Sequence, residues 1–262
     1  MEKIIIYVLT HKKFNEEYDA DLYKPLLNGS YFISEPLNYI KDDVGENISK
    51  LNPYYAELTG QYWVWKNSNA DIIGFNHYRR WFVRNLKFEK LTKKDILNDL
   101  KDNDIILPQK SMLKKSVKET IIEGLEKNPN YGAKWEDYEK LENIIKKQYP
   151  EYYNSYNNIM NGKYCYSNNM FICKKELADT YFSWLFEVID QLKEEIDFSK
   201  YPKDNKRVFG FFSETLLTVF VAKHKLEVKE HYLLLSDRKI PLIHILIRRF
   251  PTIGKLENII AK

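Results

Sequence analysis

Two cysteines in 262 residues is the first constraint that the sequence sets. Cys165 and Cys173 show neither metal-ligand spacing nor a disulfide framework, so a stapled scaffold and a thiolate zinc site are excluded and a reducing cytoplasm is the expected compartment. No run approaches ~18 apolar residues, so no membrane-spanning helix is expected. The opening apolar stretch is too short for a signal peptide with its cleavage site, and none is expected. No Lys/Arg run forms a basic arm, and a formal net charge of +4 argues against a nucleic-acid partner. Internal repeats and low-complexity linkers are also absent.

Aromatic residues are abundant, with 20 Tyr and 14 Phe. They serve cores and carbohydrate platforms alike, and a coding bias towards Tyr, Phe, Asn, Lys and Ile gives the same enrichment, so composition leaves function open. Pattern says more. Lys3 to Leu9 is a continuous β-branched run, the mark of a strand buried on both faces, and it ends in Thr10-His11-Lys12-Lys13. Asp71 to Phe75 is a second buried strand, left by Asn76-His77-Tyr78-Arg79-Arg80. Before it, Asn52 is placed to cap a helix with Pro53 in its first turn, and Tyr54, Leu58, Tyr62 and Trp65 recur at helical spacing. That single buried helix carries Glu57, Thr59, Gln61 and Lys66, which need partners. Further on, the pattern predicts a helix over 83–101, a strand over 104–107, and helical stretches around 114–126 and 136–148. A Tyr/Asn-rich segment to Asn161, a strand over 164–173, helices over 174–196 and 207–224, and a closing strand over 225–235 follow. Alternating strands and helices argue for an α/β fold with a mainly parallel, doubly wound sheet, one domain over 1–235 in which the polar 109–163 is an insertion or lid. Residues 236–262 form a basic amphipathic segment, with Ile243, Leu246, Ile247 and Phe250 beside Arg248 and Arg249. It fits an anionic membrane surface or a docked terminal helix equally well.

In open α/β sheets, ligands bind outside the carboxyl ends of strands, which points to His11 and Lys12 and to Asn76, His77, Tyr78, Arg79 and Arg80. The planar donor fork of Arg matches phosphate oxygens, and His adds a donor or a proton carrier. The plainer alternative is a solvated charged turn with a hydrogen-bonded His. Ser167, Asn168 and Asn169 offer neutral hydrogen-bonding groups of the kind sugar hydroxyls want, or simply stabilise a turn. Glu214 is the lone acid in a nearly all-apolar helix. It either pairs with Arg79, Arg80 or Arg207, or has a pKa raised by desolvation, as a general base requires. Glu57 is the second such acid. Two Asp-x-Asp spellings, Asp19/Asp21 and Asp102/Asp104, lack the preceding strand that would place a metal at the ligand edge, and no metal site is expected.

The runs LNPYYAELTGQYWVWKN and DIIGFNHYRRWF resemble a family of bacterial capsule and O-antigen synthesis proteins, long catalogued as a domain of unknown function and now associated with galactofuranosyltransferase activity. The resemblance continues at Asn169 to Ile172, Tyr181 to Phe186 and Arg207 to Leu216. It implies a GT-A-like glycosyltransferase fold and transfer of galactofuranose from its UDP donor, with inversion. The acceptor implied is a polyprenyl-diphosphate-linked glycan at the inner face of the cell membrane. The 109–163 insertion would lie on the acceptor side. Glu214, then Glu57, would be the base. His11, Lys12, Lys66, Asn76, His77, Tyr78, Arg79, Arg80, Asn168, Asn169 and Arg207 would bind substrate. No cofactor is expected, the two Arg and His77 standing where a metal would neutralise the diphosphate, with Mg or Mn the alternative. Two other functions fit the same residues: a non-catalytic glycan- or nucleotide-binding subunit of a polysaccharide assembly complex, and a transferase for another UDP-hexose.

Overall fold

The computed structural model describes residues 2–85, 87–128, 132–201 and 207–236. The chain opens with β1 (Ile4–Thr10), β2 (Tyr23–Leu27) and β3 (Ile40–Lys41), followed by the helices α1 (Asn52–Tyr55) and α2 (Leu58–Asn67). The hairpin β4 (Ile72–His77) and β5 (Arg80–Val83) leads to α3 (Lys93–Asp99), β6 (Ile105–Pro108) and β7 (Ser111–Met112). Then come α4 (Val117–Lys127), α5 (Trp135–Gln148), α6 (Pro150–Asn161) and β8 (Tyr164–Cys165). The order closes with β9 (Ile172–Lys174), α7 (Lys175–Glu195), α8 (Val208–His224) and β10 (Val228–Leu235). Of the expected basic tail, residues 237–262 lie outside the described residues.

Eight strands form the main sheet in the order β3-β2-β1-β4-β5-β10-β6-β9, with β9 also bonded to β4. β1 runs parallel to β2 and β4, β2 to β3, and β10 to β6. β5 is antiparallel to β4 and β10, and β9 is antiparallel to β4 and β6. The sheet is therefore mixed, which corrects the expectation of a mainly parallel, doubly wound one. The reason is local for β5: a two-residue turn joins it to β4, and only antiparallel strands can be joined so tightly.

Alternation along the strands builds two cores. Tyr7, Leu9, Ile73, Phe75, Ile105 and Leu107 face a large aromatic-rich core shared with α2 and with α5 to α8. Ile4, Ile6, Val8, Ile72 and Ile106 face a smaller one closed by Leu22, Trp81, Ile96 and Leu100. The two central strands are buried on both faces, which is why they read as unbroken apolar runs.

Three expectations from pattern change. The single helix over 53–66 is two, broken at Ala56, whose φ is 51°. Asn52 lies inside the first piece instead of capping it, and its Nδ2 bridges the break by donating to the Ala56 carbonyl at 2.8 Å and to Thr59 Oγ1 at 3.0 Å. The helix expected over 83–101 is only α3, because β5 takes residues up to Val83. α3 starts at a reciprocal capping box between Thr92 and Asp95. The Tyr/Asn-rich end of the 109–163 segment, finally, is a helix, α6. Tyr138, Leu141, Ile144 and Ile145 of α5 and Tyr152, Tyr156, Ile159 and Met160 of α6 are all buried in the large core.

Leu141, fully buried within α5, tests that integration. Leu141→Ala is expected to destabilise the whole protein by about 2–5 kcal/mol, in one urea transition followed by both fluorescence and circular dichroism. An early, separate loss of signal from α5 and α6 would show them to be an independent lid.

Candidate functional site

The strand order reverses direction at β1: β2 and β3 lie to one side and β4 to the other. At such a switch point the loops leaving the two central strands diverge and open a crevice. Leu9 pairs with His77 there, so the segments 10–13 and 76–80 leave the sheet side by side. Thr10 Oγ1 accepts from the Lys12 amide at 3.2 Å and donates to the Lys12 carbonyl at 2.6 Å, folding the first loop back on itself. Tyr78 is its counterpart in the second. The His11 ring meets it edge-on at 5.3 Å, Lys12 Nζ stands 5.6 Å from its centroid and Arg79 Cζ 5.1 Å. One phenol thus gathers three basic side chains, each favoured by the negative face or edge geometry of the ring. The end of β10 holds the turn in place, because the Ser236 amide donates to the Arg79 carbonyl at 3.1 Å.

The field of this cluster is visible in the histidines. Burial and the charges of Lys12, Arg79 and Arg207 lower the pKa of His11. Burial above all, aided by Arg80, Arg207 and Arg79 and opposed by Glu57, takes His77 down to about 4. His77 is neutral at neutral pH, so it supplies a hydrogen bond and not the positive charge expected of it. Its Nε2 is buried without a partner among the described residues, as are both amide atoms of Asn76. Buried polar atoms are seldom left unpaired, so these two side chains mark the carboxyl end of β4 as a place where a polar ligand would be welcome.

Across the crevice stands the start of α8. Glu57, 8% exposed, sits at the break between α1 and α2. It accepts from Asn169 Nδ2 at 2.9 Å and meets Arg207 Nη2 at 3.4 Å. Asn169 also donates to the Gly210 carbonyl and to Ser213 Oγ, at 3.0 and 2.7 Å, while its own carbonyl accepts from Gln61 Nε2 at 2.8 Å. Asn168 and Asn169 both adopt left-handed backbone, with φ of 77° and 48°. The Asn168 backbone lies near enough to Glu214 to lower its pKa. Glu214 itself makes no ion pair within 4 Å among the described residues, so the pairing expected with an arginine is not present; Arg207 is taken by Glu57 instead. Burial first, then the charge of Glu57, raises the Glu214 pKa to about 7, against the lowering pull of the Asn168 amide, Arg80 and Arg207.

Twelve expected positions, His11, Lys12, Glu57, Asn76, His77, Tyr78, Arg79, Arg80, Asn168, Asn169, Arg207 and Glu214, lie on the elements that meet at this edge. Lys66 does not reach it. It lies at the far end of α2, about 13 Å along the helix from Glu57. There its ammonium stands 3.6 Å from the Trp65 ring centroid and 3.6 Å from Glu46. Gln61 and Ser213 belong to the site as supports that pattern did not select, although both lie in the runs that carry the family resemblance. The Asp-x-Asp spellings are turns: Asp19 Oδ1 accepts from the Asp21 amide at 2.9 Å, and Asp104 Oδ2 from the Glu227 amide at 2.8 Å. Among the described residues, no group of three His, Cys, Asp or Glu side chains is arranged to hold a metal ion, and no helix is long and apolar enough to cross a membrane.

Comparison with known proteins agrees with this geometry in part. Among curated proteins none matches the sequence. Among solved structures the chain is similar to WbbM, a bifunctional glycosyltransferase in its apo form, with 28% identity and a TM-score of 0.75. The match covers 90% of this chain and 46% of that one, so the chain spans about half the length of its structural relative. A family model described as a domain of unknown function, DUF4422, matches residues 5–225. Since that match takes in the strands, the switch-point loops and α8 together, the chain belongs to the DUF4422 family.

Proposed function

We propose that the protein is a glycosyltransferase, moving a hexose from a UDP-sugar onto a glycan hydroxyl. The observation that carries the reading is the pairing, at one sheet edge, of a basic strand-end cluster with a half-buried carboxyl group poised near neutral pH. The similarity to a glycosyltransferase supports it. Lys12, Arg79 and Arg80 would bind the diphosphate, with His11 and the neutral His77 donating hydrogen bonds, and the arginine charge would stabilise the negative charge that develops on the leaving group. Glu214 would take the proton. The acceptor oxygen attacks the anomeric carbon of the donor, the bond from that carbon to the diphosphate oxygen breaks, UDP leaves, and the hydroxyl proton passes to Glu214.

The finer reading is transfer of galactofuranose with inversion in a GT-A-like fold. The acceptor in it is a polyprenyl-diphosphate-linked capsular or O-antigen intermediate, met at the inner membrane face. It rests on the sequence resemblance. Inversion requires a single base, which one carboxyl group at this edge satisfies. The diphosphate charge is met by arginine and lysine without a metal, because the rim of the crevice carries fixed cations where a metal site would need carboxylates.

Two experiments test the proposal. UDP and UDP-galactofuranose are expected to raise the melting temperature equally with and without EDTA, and Arg79→Ala with Arg80→Ala to abolish the shift. A shift that vanishes with EDTA and returns with one divalent ion would overturn the metal-free reading, and no shift with any nucleotide sugar would overturn the transferase. For the base, the sign follows from a folded pKa raised above the unfolded value of 4.5. The folded state holds the Glu214 proton more tightly, so this group's contribution to stability falls as pH rises from about 4.5 to about 7 and stays low above that. Glu214→Gln is therefore expected to be more stable than the parent at pH 8, by roughly 1–3 kcal/mol, and equal to it near pH 4. The same variant is expected to lose about 10²–10⁴-fold in transfer rate, together with the acid limb of the pH profile.

A further inference from the structure

Three features around Glu214 stand out from the general architecture of the site. The first is the break at Ala56, which turns what would be one helix into two and leaves the Glu57 carboxylate at the junction, facing α8. The second is the pair of consecutive left-handed residues Asn168 and Asn169. The third is the fan of bonds from the buried Asn169 amide, which ties Glu57 to the Gly210 carbonyl and Ser213 of α8 in one step. Ser213 is the residue next to Glu214, and its hydroxyl donates to the same Gly210 carbonyl at 2.8 Å. Non-glycine residues held at positive φ cost free energy, and they persist where the surroundings over-determine them. Here they over-determine the orientation of one side chain.

We propose that Glu57 is not an alternative base but the positioning residue for Glu214: through Asn169 it fixes the start of α8, the helix that carries Glu214, and it sets its own carboxylate at the α1–α2 junction facing that helix. The proposal rests on the glycosyltransferase reading for its consequence in turnover, but not for its physics. Glu57 is itself unsuited to take a proton from an acceptor. Both its oxygens are engaged, one with Asn169 and the other with Arg207, and it is 8% exposed. Glu214, by contrast, makes no ion pair among the described residues and is partly exposed, so it can reach a substrate.

The groups that face Glu214 come from every neighbouring element. Glu57, from the α1–α2 junction, raises its pKa; Arg80 of β5 and Arg207 before α8 lower it. Tyr138 of α5 and Cys165 of β8 are pushed up by burial first and by the Glu214 charge second. Glu57 is thus the one carboxylate that opposes two arginines. Without it the balance tips towards the cations, and Glu214 becomes a weaker base. The same carboxylate binds Arg207, whose side chain is 61% exposed, so the clamp reaches from the core of the site to the solvent edge where an anionic donor arrives.

The test separates this inference from the transferase reading because its first readout needs no substrate. In protein labelled with carboxyl-¹³C glutamate, with Glu214→Gln used to assign the signal, Glu214 is expected to titrate near neutral pH. In Glu57→Gln, which keeps an oxygen to accept from Asn169 and loses the charge, the midpoint is expected to fall by about one pH unit. In Asn169→Gly, which keeps the left-handed backbone and loses the amide, kcat is expected to fall tenfold or more with the UDP-sugar KM unchanged. An unmoved Glu214 midpoint in folded Glu57→Gln overturns the charge role. Unchanged kcat in folded Asn169→Gly overturns the positioning role, as does retention of the acid limb in Glu214→Gln with its loss in Glu57→Gln, which would make Glu57 the base. A shifted midpoint in a protein that transfers no sugar would uphold the charge relation and count against the transferase alone.

Discussion

The contact on which the candidate site depends is the hydrogen bond from Asn169 to Glu57. A carboxylate taken out of water is unfavourable unless its oxygens are bonded, and breaking a buried bond to a charged group costs on the order of 1.5–3 kcal/mol. Glu57 meets that requirement with a residue 112 positions later in the chain. The distance in sequence is what makes the bond informative. It closes only when the β4–β9 pairing has brought the 166–171 segment beside α2, and when α8 has packed over both. One side-chain amide then fixes three elements against each other. The left-handed residues Asn168 and Asn169 are the local cost of that closure, and the break at Ala56 is its counterpart on the other strand of the argument, since an unbroken helix would carry Glu57 as an ordinary interior residue with its amide committed to the turn before it.

The opposite wall follows different physics. There the question is how several cations stay close together. Tyr78 answers part of it by offering one ring to Lys12 and Arg79, and the histidines answer the rest by remaining uncharged. Burial would lower His77 by itself, but the arginine field pushes in the same direction, so burial and cations together remove a charge that would otherwise add to the repulsion. The cluster is consequently less positive than its sequence spelling indicates. His11, Lys12, His77, Arg79 and Arg80 read as five potential positive charges, whereas the lowered pKa values of the two histidines leave the positive charge to Lys12, Arg79 and Arg80.

The division between what could be read from the sequence and what could not follows from the range of the forces involved. β1 and β4 were legible because burial on both faces leaves an unbroken apolar run, and α7 and α8 because long amphipathic or apolar helices repeat their pattern over several turns. The polar residues at the strand ends were legible through the general geometry of such sheets. The break at Ala56 was not, because nothing in NPYYAEL disfavours a helix; tertiary contacts from Asn52 and Glu57 impose it. α6 was under-read for the opposite reason. Tyr152, Tyr156, Ile159 and Met160 do recur at helical spacing, but a segment so rich in Tyr and Asn looks like loop until the tyrosines are seen to be core residues. Lys66 shares a helix with Glu57, yet helical geometry separates them: the two are nine residues apart along one rod. The antiparallel entry of β9 into the sheet depends on a chain path of more than sixty residues, for which short-range pattern carries no signal.

In the proposed transferase, these two walls would divide the labour of the reaction along a physical line. Fixed charge, to hold a diphosphate and to stabilise it as it leaves, would be carried by guanidinium and ammonium groups. Charge that must change during the reaction is carried by one carboxyl group whose proton affinity is set near 7 by burial and by a neighbouring carboxylate. The separation matters because the two demands conflict when they fall on the same residue: a group strong enough as a fixed cation cannot accept a proton, and a base surrounded only by cations loses its affinity for one. Glu57 resolves the conflict at short range. By opposing Arg80 and Arg207 at Glu214, it allows a proton acceptor to sit within the field of the arginines that the anionic donor needs. A metal would place a still larger positive charge at the same edge and pull the Glu214 pKa back towards the ordinary carboxylate range. On the proposed reading, the raised pKa and the arginine rim would belong to a single arrangement, in which the charge of Glu57 offsets that of Arg80 and Arg207 at Glu214.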